Sequence, residues 1–116
     1  MKRDISDFVQ DILEAIADIE TFTQGFTFEN FKRDRKTIYA VIRAIEVIGE
    51  ASKNIPDATR AQYPQIPWKQ IAGMRDKLIH GYFGVDLLTL WKAAIQDVPQ
   101  LKMLMTKINN DLTKNS

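Results

Sequence analysis

The chain has 116 residues, of which 45% are hydrophobic and 27% charged, with no cysteine, five glycines and four prolines. That is one compact domain over residues 1–116, and it excludes disulfides, thiolate metal sites and cysteine nucleophiles together. Sixteen Lys and Arg against fifteen Asp and Glu leave a net charge of +1, which argues against a protein that coats nucleic acid by bulk electrostatics, so any RNA contact must be local. Acidic residues enter at Asp4 and Asp7 before any apolar run develops, so neither a signal peptide nor a membrane span is expected, and the composition suits the cytoplasm.

Apolar residues at Ile5, Phe8, Val9, Ile12, Leu13, Ile16 and Ile19 recur in steps of three and four, predicting a first helix from about Asp4 to Phe22. Gly25 is placed to end it in the left-handed conformation. A second, longest helix is predicted over residues 28–54, on a stripe running from Phe28 and Phe31 through Ile38, Val41, Ile42, Ile45 and Ile48 to Ser52, with a bend near residues 32–36. Ile55-Pro56 stops it. Residues 57–63 are expected as a short helical turn capped by Asp57, followed by an extended connector over 64–67.

Pro67 fits the first position of a third helix carrying Trp68, Ile71, Ala72, Arg75, Leu78 and Ile79, interrupted by Gly81 and Gly84. A fourth opens at Asp86, whose carboxylate is placed to accept from the amides of Leu88 and Thr89. Its apolar period continues past Pro99 to Leu112, so Pro99 predicts a kink or a division into two helices. The whole is an all-α, antiparallel bundle of four to five helices. Trp68, Trp91, Phe8, Phe22 and Phe31 stand at core spacing, for the domain interior or a subunit contact.

The single histidine, His80, lies in the run Gly73-Met74-Arg75-Asp76-Lys77-Leu78-Ile79-His80-Gly81-Tyr82-Phe83-Gly84. A lone histidine is ordinarily structural, but a guanidinium, an imidazole and a phenol that converge in one recess form a phosphate-binding and proton-transferring set. Arg75-x4-His80-x-Tyr82, with Ile66-Pro67-Trp68 before it, Gly84-Val85-Asp86 after it and Ile48-Gly49-Glu50-Ala51 in the second helix, resembles the HepT-type HEPN ribonuclease toxins. The resemblance implies a homodimeric, metal-independent endoribonuclease without cofactor, the toxin of a type II or type VII-like toxin-antitoxin pair. Arg75 and His80 would be its catalytic pair. Its usual partner is an MntA-like nucleotidyltransferase antitoxin, which would transfer AMP to Tyr82.

One histidine per chain cannot easily serve as acid and base together, so a two-fold dimer with both motifs in one cleft is expected. Two further readings of the motif stay open: a non-catalytic module that binds a nucleotide or the antitoxin, and a scaffold with a degenerate motif. Asp76 is read as a solvated or antitoxin-contacting residue. Glu46 and Glu50 suggest a carboxylate metal pair, but the chain has no Glu-x-x-His, so no metal site is assigned; Arg43 is the plain counter-ion and Glu50 a candidate to orient Arg75. The run Lys32-Arg33-Asp34-Arg35-Lys36 is either a solvated helical face or a contact for RNA phosphates.

Overall fold

A computed structural model describes residues 4–73 and 86–114, and among these every regular element is helical. Helix α1, Ile5–Thr23, starts in a reciprocal capping box. The Asp4 carboxylate accepts from the Asp7 amide at 3.2 Å while the Asp7 carboxylate accepts from the Asp4 amide at 3.1 Å, so free donors of the first turn are satisfied. Val9, Ile12, Ala15, Ile16 and Ile19 form its buried stripe. Thr23 closes it, its buried hydroxyl donating to the Ile19 carbonyl at 2.7 Å, and Gly25 turns the chain at φ +79°, as its position in the sequence predicts.

The long second helix predicted over residues 28–54 is two helices. Helix α2, Phe28–Phe31, is a single turn capped by Thr27; α3, Arg35–Lys53, is capped by Asp34, whose carboxylate accepts from the Thr37 amide at 3.0 Å. The expected bend is therefore a break at residues 32–34, where an aspartate able to cap the longer helix competes with continuation. Helix α4, Asp57–Gln62, departs from expectation at its start. Pro56 is its N-cap and no side chain caps it; Asp57 instead pairs with Arg60 one turn on. A carboxylate caps from the residue before the helix, and Asp57 lies inside it.

Helix α5 covers 68–73 within the described residues, with the Ile71 amide donating to the Pro67 carbonyl at 3.0 Å. Helix α6, Leu87–Lys92, begins where the sequence places it: Asp86 accepts from the amides of Leu88 at 3.1 Å and Thr89 at 3.3 Å, and from the Thr89 hydroxyl at 2.7 Å. A π-helical turn, Ala93–Asp97, joins it to α7, Val98–Lys114. Pro99 has no amide to donate and its ring crowds the carbonyl four residues back, so the ladder widens just before it. Of the kink or division expected at Pro99, the structure shows a division, α6 and α7 on either side of the π turn.

Helix α1 packs against α3 and against α7, and their facing stripes make the core. Phe31 is completely buried, its ring centroid 5.0 Å from that of Trp91, which locks α2 onto α6. Phe8 and Trp68 pack against the core, whereas Phe22 is 37% exposed. Of the two places expected for Phe22, the domain interior is taken instead by Thr23, one residue on, which is buried at the end of α1.

Candidate functional site

Arg75, Asp76, His80 and Tyr82 lie outside the described residues, so the site is characterised by what holds each end of the segment that carries them. On the entry side the connector after α4 is pinned by aromatic residues. The Trp68 indole N–H is shared between the carbonyls of Arg60 at 3.2 Å and Tyr63 at 3.1 Å, so the first residue of α5 is tied to the end of α4. The Tyr63 hydroxyl donates to the Asp111 carboxylate at 2.7 Å, tying the connector to the end of α7. That bond to a carboxylate raises the Tyr63 pKa, because ionising the phenol would set two negative oxygens against each other. Ile66 and Ile71 are buried under these polar ties.

On the exit side the chain returns at Asp86 and is capped at once, with Leu90 buried and Trp91 against Phe31 four and five residues later. The Asp86 carboxyl is held below its ordinary pKa, chiefly by the Thr89 hydroxyl and then by the Thr89 and Leu88 amides. Both ends of the segment that bears the motif are thus anchored to the core within a few residues. Local spacing in the sequence identifies Asp86 and Trp68 but not the Tyr63–Asp111 bond, which joins residues 48 apart and has no local signature.

Glu50 lies on the exposed side of α3, where its backbone carbonyl accepts from the Asn54 side chain at 3.0 Å. Glu46 pairs with Arg43 at 3.4 Å, the plain partner expected for it. Among the described residues no three acidic or histidine side chains gather as a metal site would require, and no helix is long and apolar enough to cross a membrane.

The family described as Ribonuclease HepT-like matches residues 12–108. The chain belongs to the HepT-like ribonuclease family. Among its relatives, "Probable ribonuclease HepT" of Thermococcus cleftensis is 55% identical over 93% of this chain and 98% of its own length. Two relatives from Methanocaldococcus jannaschii, "Putative RNase MJ1216" and "Putative RNase MJ0125", are 51% and 52% identical, each over 96% of this chain and over 92% and 96% of their own lengths. No solved structure matches the chain. The HepT-like match spans residues 12–108, which include Trp68, Asp86 and the Arg75-x4-His80-x-Tyr82 spacing between them.

Proposed function

We propose that this HepT-like chain is the toxin of a toxin-antitoxin pair, a metal-independent endoribonuclease acting in the cytoplasm as a homodimer. The observation that carries the reading is the spacing Arg75-x4-His80-x-Tyr82 inside a chain of the HepT-like ribonuclease family. In the reaction, the 2'-hydroxyl beside the scissile bond loses its proton to a base and its oxygen attacks phosphorus. The P–O5' bond breaks, and the departing 5'-oxygen takes a proton from an acid, leaving a 2',3'-cyclic phosphate and a 5'-hydroxyl. An imidazole with an unperturbed pKa of about 6.5 fills either proton-transfer role near neutral pH. The Arg75 guanidinium, always charged, holds two phosphoryl oxygens as negative charge builds on them. Two protomers sharing one cleft supply one imidazole for each role.

AMP attached to Tyr82 by a nucleotidyltransferase antitoxin sets a negative phosphodiester and a nucleoside two residues from His80. Repulsion and occlusion both then exclude the RNA backbone. Glu50 on α3 is the candidate to orient Arg75, and Asp76 a candidate antitoxin contact.

The test is product-end analysis in excess chelator. A cyclic phosphate and a 5'-hydroxyl are expected from the unmodified protein, and loss of both from a folded His80→Ala variant. A requirement for a divalent cation, or unchanged cleavage by His80→Ala, overturns the reading. A protein that stays folded, binds the antitoxin and never cuts RNA supports the non-catalytic module instead.

A further inference from the structure

Between the connector at residues 64–67, the start of α5 and the first turn of α7 lies a cleft of about 250 Å³, lined by described residues. Its floor is apolar, since Ile48 of α3, Ile71 of α5 and Leu101 of α7 are all buried. Its mouth is polar. Gln65 of the connector, Gln70 of α5, Asp97 of the π turn and Gln100 of α7 line it and are exposed. Among the described residues none of these four side chains has a hydrogen-bond or ion-pair partner. The π turn contributes to both parts: Asp97 is its last residue, and Val98, which closes it, is buried in the same cleft. Single π turns of this kind recur at functional sites, where the extra residue re-aims the side chains around it.

Size and polarity together limit the occupant. Pockets for drug-sized ligands run from about 300 to 1,000 Å³, so a cleft of 250 Å³ admits one small ring system or one side chain and little more. No lysine or arginine lines it, and Asp97 repels anions, so a phosphate is not what it holds. A carboxamide donates and accepts side by side, and it matches the N6 amine and N7 of adenine with two hydrogen bonds. A carboxylate accepts from the exocyclic amine of a base and is repelled by the O4 that uracil presents instead. Apolar side chains take the faces of a flat ring, while sugar and phosphate stay outside. An aliphatic side chain from another protein fills such a floor but uses none of the four polar groups at the mouth.

We infer that this cleft is a binding pocket for an amino-bearing nucleobase, adenine foremost, with the glutamines and Asp97 reading its edge. The inference goes beyond the nuclease reading and does not rest on it. A base in an RNA strand and the base of a free adenine nucleotide present the same edge to these groups.

Methyl NMR of the full chain reads the cleft through Ile48 and Ile71. Adenosine is expected to shift both resonances and to bind about tenfold more tightly than uridine, within the range that one good bidentate base contact discriminates. Asp97→Asn, at an exposed position, turns an acceptor into a donor and should remove most of that preference. Gln70→Leu with Gln100→Leu should weaken adenosine about tenfold, while Gln10→Leu, the same exchange on α1, leaves it unchanged. Equal binding of adenosine and uridine, or a doubly substituted protein that binds adenosine as the wild type does, overturns the proposal. A methyl response to isopentanol, which mimics a leucine side chain, with none to adenosine also overturns it and reassigns the cleft to a protein partner. The source of the base is set by a second comparison. A short oligoadenylate bound by the uncleaving His80→Ala protein more tightly than AMP assigns the pocket to a strand, and AMP bound at least as tightly assigns it to a free nucleotide. RNA cleavage enters neither measurement, so loss of the nuclease and loss of the pocket are seen separately.

Discussion

Single residues decide where this chain turns, and three of them give direct tests. Gly25 at φ +79° occupies a backbone region that a Cβ disfavours, although the space around it is open, so the cost of Gly25→Ala is conformational, about 1 kcal/mol. A urea midpoint lowered to that extent checks it. Tyr63→Phe removes the donor to Asp111 and leaves the part-buried carboxylate without its phenol; about 1 to 2 kcal/mol of stability should be lost. Because the folded phenol has a raised pKa, its contribution is complete below the ordinary value near 10 and disappears as pH rises through the folded value. Wild type and Tyr63→Phe should therefore converge in alkaline unfolding. Asp86 runs the other way. Its folded pKa is depressed, so its contribution is present above about pH 4 and lost as pH falls through the folded value, and Asp86→Ala should flatten that acid limb. Asp86 is legible in the sequence because a cap is decided by the next three residues. The same short range works against Asp57, since Arg60 at the following turn competes for the carboxylate and Pro56 already occupies the cap.

At the scale of elements, hydrophobic period locates both ends of α1 and the end of α3 within a residue or two, because burying one apolar stripe stabilises a helix more than anything else does, and the stripe repeats every turn. What period does not carry is the kind of interruption. The gap between α2 and α3 and the π turn before Pro99 both preserve the apolar stripe on either side, so neither disturbs the pattern. The π turn holds one residue more than an α turn would, with the Val98 amide reaching back to the Ala93 carbonyl, and Leu90 before it, Ala94 within it and Val98 and Leu101 after it all stay buried. Deleting the exposed Gln96 should therefore convert it to α geometry with the flanking faces still in register, at a cost below about 2 kcal/mol, where a deletion in the middle of α7 should unfold the protein. Far-UV circular dichroism with urea unfolding distinguishes the outcomes. Phe31 is the opposite case: it clamps α2 to α6 from a fully buried position, and Phe31→Ala should cost about 3 to 5 kcal/mol.

For the molecule as a whole, the fold reduces to α1 held between α3 and α7, with the motif segment hung between an aromatic tie at one end and a carboxylate cap at the other. The all-helical class follows from sequence alone, as does the family, because the motif and its flanking residues are contiguous. Long-range ties are not legible in this way: nothing around Tyr63 announces Asp111, or around Glu20 its pair with Lys102 at 3.0 Å. If two chains complete one catalytic cleft, specific activity should fall on dilution below the dimer dissociation constant, and mixing folded Arg75→Ala and His80→Ala proteins should restore part of the activity that neither has alone. Activity independent of concentration, with no rescue on mixing, would place the whole reaction in one protomer.

The bond between Tyr63 and Asp111 bears on synthesis as well as stability. A nascent polypeptide has made its motif by the time residue 82 is translated, yet α7, which clasps the preceding connector and packs against α1, is translated only afterwards. Translation order thus separates the appearance of the motif residues from the closing of the long-range tie that holds the connector before them.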